Sequence, residues 1–167
     1  MSDPQPIQQE WLNSLDVPSR AVAQSLGARF GALGVTDSAD LIKSEVLEDL
    51  PQLARYVLLR SLWRDAIDGW SAPGSLEQLP AAQRLLAAGA DREDLGRVAR
   101  AVAYEAVFVT LDALDAGCDM DTPGVDVGWV VMESGEDGSP TGRALSGLHE
   151  DLLTMDSSGR DGADLWQ

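Results

Sequence analysis

The sequence predicts a predominantly helical α+β protein: five to six helices around a central helix pair, with a small β-hairpin near the C-terminus. Three observations carry this. Apolar residues recur at helical spacing through most of residues 18–116. Two of those runs are long and apolar enough to need a partner. After residue 127 the chain turns β-branched and aromatic.

The first ten residues read as a loose arm, followed by a short helical stretch carrying Trp11, Leu12 and Leu15. Pro18 suits a first helical turn, and Val22, Leu26 and Phe30 follow at spacing four up to Gly34, which favours a C-terminal cap. Thr36-Asp37-Ser38 offers an N-cap for a helix over 39–48 with Leu41, Ile42, Val46 and Leu47. From Pro51 to Trp70, Tyr56, Trp63 and Trp70 repeat every seven residues and form one stripe, the composition of a core face. Ser71-Ala72-Pro73-Gly74 breaks this run, and a short helix over 80–88 ends at Gly89. Asp91 then caps a helix that continues to Ala116, about 39 Å at 1.5 Å per residue. Its middle, Val98 to Val109, is apolar nearly all round, which predicts a central element covered on several sides. The Pro51–Trp70 and Asp91–Ala116 helices are therefore the expected central pair. Residues 117–127 form a Gly/Pro/Asp-rich connection. A strand over 128–133, a turn at Asp137-Gly138, a second strand over 141–145 and a helical turn over 148–155 complete the reading. Residues 156–167 are Gly/Ser/Asp-rich and expected to be loose apart from Leu165 and Trp166. The chain is read as one globular domain over 1–167.

Charge sorts the possible partners. The 167 residues hold 28 acids and 12 bases, a net −16. Residues 111–167 carry 13 of those acids against 2 bases, while residues 51–110 carry seven of each. Nucleic acids and anionic membranes require phosphate neutralisation, so neither is an expected partner; a basic protein is. No apolar run approaches the roughly 20 residues of a membrane helix. The N-terminal residues lack the basic and apolar segments of a secretory signal, and the single Cys118 excludes an internal disulfide framework, so a cytoplasmic location is expected.

Candidate chemistry is sparse. A thiol enzyme would have to pair Cys118 with His149, yet Asp119 and Asp121 beside the thiol would raise its pKa where activation needs it lowered. No Gly-x-Ser-x-Gly elbow supports a serine triad. Asp119 to Gly124 looks superficially like a calcium loop, but Pro123 and Val130 occupy positions that need oxygen ligands. A looser carboxylate site for a divalent cation would use Asp119, Asp121 and Asp126. Glu105 is the single charge in the apolar centre of the long helix. It is a candidate for proton transfer or for a structural ion pair with Arg60, Arg64 or Arg100. His149-Glu150-Asp151, with Trp129 and Arg143 near in sequence, is the other place to expect a site; the plainer reading is a histidine donating a structural hydrogen bond. The arginines at 55, 60, 64, 84, 92, 97 and 100 offer an anion pocket or, preferably, pairs with neighbouring acids. No phosphate loop, dinucleotide fingerprint or zinc set is present, so no cofactor is implied. Three functions are compatible with this pattern. The favoured one is a non-enzymatic binder of a basic protein, such as an immunity or antitoxin-like inhibitor or an adaptor. The alternatives are a small carboxylate-dependent or metal-assisted hydrolase, using Glu105, His149 or the loop aspartates, and a DNA mimic.

Overall fold

The computed structural model describes residues 9–119, 124 and 127–166. Among them are six α-helices and one two-stranded antiparallel hairpin, so the class is α+β and predominantly helical. No helix among the described residues is long and apolar enough to cross a membrane. The chain divides into two compact units: Met1–Tyr56 with Met132–Leu145, and Val57–Val131 with Ser146–Gln167.

The first unit is built from α1 (Gln9–Ser14), α2 (Val17–Ala32), α3 (Ala39–Glu48), the opening turns of α4 (Gln52–Leu62) and the hairpin of β1 (Met132–Ser134) and β2 (Pro140–Ala144). Asp16 caps α2, its Oδ1 accepting from Ser19 N at 2.8 Å. Arg20 closes the end of α1, donating to the carbonyls of Leu12, Asn13 and Leu15 and so meeting acceptors that a helix C-terminus leaves open. Leu12, Ala23, Leu26, Phe30, Ile42 and Leu53 make the core. Tyr56 meets Phe30 edge-on, ring centres 5.7 Å apart. The hairpin turns at Asp137-Gly138 as expected, but strand pairing begins at Met132, not at residue 128.

The reason lies in the second unit, where Gly128 bridges to Cys118. A Cβ on Gly128 would stand 2.6 Å from the Gly117 carbonyl oxygen, so only glycine permits this approach. Here the long helix α6 (Arg92–Ala116) begins at Asp91, whose Oδ1 accepts from Glu93 N and Asp94 N, and stops at Gly117 in the left-handed region. It packs against the segment after α4, where the expected helix loosens into a π turn over Trp63–Ile67 and a 3₁₀ turn over Asp68–Ser71. Trp63 and Ile67 are fully buried, and Trp63 lies edge-on to Tyr104 of α6. The short helix α5 (Pro80–Ala87) leads into α6. Leu148, Leu152 and Leu165 add to this core. The segment read as loose from its composition is folded from 156 to 166. Buried Asp156 accepts from Ser158 N, Ser158 Oγ and Gly162 N, and Leu165 is buried. Burial pushes the Asp156 carboxyl up, but those donors outweigh it and hold its pKa below the ordinary value.

Candidate functional site

Helix α6 carries the chemistry-bearing residues of the second unit on two sides. On its inner side, near the C-terminal end, His149 Nδ1 lies 2.7 Å from Asp115 Oδ2, and the His149 backbone N–H donates to the same oxygen at 3.1 Å. An ionised carboxylate only accepts, so Nδ1 carries a proton. The opposite ring nitrogen faces Asp112 Oδ1 at 3.9 Å, and the ring stands edge-on to Phe108. The hydrogen bond to Asp115 raises the His149 pKa against a smaller opposing effect of burial, and the charges of Asp115, Asp112 and Glu150 raise it further. Two aspartates in the last turns of a helix oppose the helix dipole, and a cation there relieves both. The histidine is thus a charge clamp on the end of α6. Its free nitrogen points toward a carboxylate, whereas a nucleophile would occupy that place in a catalytic triad.

Trp129 has a similar structural task. Its indole N–H donates to the Ala113 carbonyl at 2.9 Å, filling one of the acceptors that the end of α6 leaves open. Glu150 is exposed and Asp151 half-buried in the turn that carries His149. Asp119 is exposed directly after the Cys118 bridge, while Asp121 and Asp126 lie outside the described residues. No group of three potential metal-ligating side chains occurs among the described residues.

The outer side of α6 departs most from expectation. Val98, Val102 and Val109 are 62, 64 and 61 % exposed, so the apolar middle of the helix is not covered on every side. Glu105 is exposed on this same face and takes no part in an ion pair among the described residues; Arg64 pairs with Asp65, and Arg100 with Asp68 and Asp164. Val98, Val102, Glu105, Val109, Asp112 and Ala116 follow one another at spacings of 4, 3, 4, 3 and 4, which places them along one face of the helix. All six are exposed along about 27 Å of helix. Nothing local in the sequence distinguishes this face from the buried one bearing Tyr104 and Leu111.

Among the other acids of the last third, Glu133 is neutralised by Arg143 and Asp164 by Arg100 and Arg160. Glu136, Glu150 and Asp161 are exposed and outside any ion pair among the described residues. Neither family models, nor curated proteins, nor solved structures give a match to this chain.

Proposed function

We propose that this protein binds another protein through the outer face of α6, and that the bound element is a basic amphipathic helix. The observation that carries the reading is the exposed valine seam interrupted by Glu105 and Asp112. Contiguous exposed apolar side chains at helical spacing favour a helical partner, since a second helix buries them at once. Glu105 chooses its charge, since Asp112 already faces His149. Pairing with a second copy would place Glu105 against its own copy or against valines, and either costs free energy. A lysine or arginine opposite Glu105 removes that cost, and the net charge of −16 steers a basic partner toward encounter. An inhibitor or adaptor role is the class of function such a surface serves.

The test is affinity capture from the native source at low and high salt with three baits: wild type, Val102→Asp and Glu105→Lys. A basic protein retained by wild type at low salt, and lost with either variant or with salt, is the expected result. Capture indifferent to both substitutions would refute the docking face. A concentration-dependent dimer in sedimentation, abolished by Val102→Asp, would replace the basic partner with a second copy.

A further inference from the structure

A cleft of about 290 Å³ lies within the second unit, between α4 and α6. Leu58 and Leu62 of α4 form one wall, and Val107, Leu111 and Leu114 of α6 form the other. Ala106 and Thr110 complete the lining, and both are exposed, so they mark its mouth. The backbone explains the gap. After Leu62 the π turn carries Trp63 and Ile67 into the core, where Trp63 meets Tyr104. Leu58 and Leu62 precede that turn and stay half-buried, as do Val107 and Leu114 across the cleft. Four aliphatic side chains thus keep apolar surface that an occupant would take out of water.

The chemistry of the walls selects the occupant. Among the described residues that line the cleft none is charged. The Thr110 hydroxyl donates to the Ala106 carbonyl at 2.7 Å, so it offers no proton to a guest. A free small molecule would find little to orient it, and the volume falls short of the roughly 300–1,000 Å³ of small-molecule pockets. The space suits one large apolar side chain delivered by a docked chain, and the mouth is placed for that. Ala106 has Val102 four residues before it and Val109 three after it, so the cleft opens beside the exposed valines. Ala106 also follows Glu105, about 100° round the helix axis. A helix whose cation meets Glu105 therefore has an adjoining face over the cleft.

We propose that this cleft seats one leucine or phenylalanine side chain of the basic helix as its anchor, an inference that rests on reading the outer face of α6 as that helix's docking site. Anchors held in apolar pockets and ringed by weaker contacts carry most of the energy of many interfaces. The partner is then specified by two features together: a cation for Glu105 and, on the neighbouring face of the same helix, an apolar residue for the cleft. The small side chain of Ala106 keeps the mouth open, and a leucine there would lie across it.

The experiment titrates the full chain, labelled at its methyl groups, with three lysine-bearing amphipathic helices. The peptides are identical but for one central apolar position, set to alanine, leucine or phenylalanine. The leucine or phenylalanine peptide is expected to bind about tenfold or more tighter than the alanine peptide, with methyl shifts at Leu58, Leu62, Leu111 and Leu114. Ala106→Leu should erase that preference while the alanine peptide still binds. Residue 106 is exposed and leucine is a good helix former, so the variant should keep the fold. Should it not, the wild-type peptide series decides alone. Equal affinity for all three peptides, with shifts confined to Val98, Val102 and Val109, would overturn the anchor and leave the docking face standing. Failure of every peptide to bind would overturn both. A dimer in sedimentation that Ala106→Leu dissociates would put a second copy in the cleft and overturn the anchor.

Discussion

Each unit is closed by an arginine that joins segments far apart in the chain, and the two arrangements are built in opposite senses. In the first, Arg143 of β2 meets Glu45 of α3 at 3.2 Å and Glu133 of β1 at 2.6 Å. The acids are the deep partners, with side chains 5 % and 14 % exposed against 24 % for the arginine. Glu45 also accepts from Leu53 N, capping the start of α4. In the second, Arg100 is the deep partner at 12 %, and its acids Asp68 and Asp164 stand further out at 33 % and 18 %. Deleting an arginine therefore leaves different things behind: carboxylates stranded away from water in the first unit, carboxylates that water reaches more easily in the second.

The largest effect is expected from Arg143→Ala. Stranding Glu45 and Glu133 should cost about 2–4 kcal/mol in urea unfolding, a figure reduced for the partial exposure of the arginine. Faster hydrogen exchange should concentrate at 132–144 and at the start of α4. Arg100→Ala should cost less, about 1–3 kcal/mol, with exchange rising at 156–166. The reverse order would break the comparison. Asp156→Ala removes the acceptor of two backbone N–H groups and a hydroxyl. It should cost about 1–2 kcal/mol, again read at 156–166 and not at the hairpin.

A smaller, pH-dependent effect separates the units further. The His149 pKa is raised above its ordinary value near 6.5, chiefly by the hydrogen bond to Asp115. A raised pKa means the folded state holds the proton more tightly. The stabilisation is complete below pH 6.5 and fades as pH climbs through the folded value. Stability measured from pH 6 to pH 9 should thus decline more in wild type than in Asp115→Asn. At the acid end the sign inverts. The Asp164 pKa is lowered, first by the hydrogen bond from Arg100 and despite burial, so its contribution is present above the ordinary carboxylate range and disappears as pH falls through the folded value. A slope that Asp115→Asn leaves unchanged would remove His149 from the explanation.

Local rules were legible and distant pairings were not. Helix α3 spans 39–48 as its apolar spacing indicates, although Ser38 at its N-cap makes no side-chain capping hydrogen bond, and α6 starts at its Asp91 cap and ends at Gly117. The turn at Asp137-Gly138 is where the dipeptide places it. What escaped depends on partners many residues away. Asp115 and His149 are 34 residues apart, and Arg143 and Glu45 are 98. The folded 156–166 segment rests on one aspartate gathering N–H groups from a Gly/Ser-rich stretch, whose composition by itself reads as loose. The outer face of α6 departs from the sequence expectation for another reason. An all-round apolar helix gives no period by which to tell the side that faces water from the side that meets Trp63.

That outer face bears the functional proposal, and one titration tests it directly. The ¹⁵N-labelled protein is mixed with a synthetic amphipathic helix bearing leucines at a 4-3 spacing flanked by lysines, and separately with the same peptide carrying glutamates for the lysines. The expected result is saturable shifts with the lysine peptide only, centred on Val98, Val102, Glu105, Val109 and Asp112. Shifts spread over exposed Glu136, Glu150 and Asp161, or an equal response to the glutamate peptide, would contradict it.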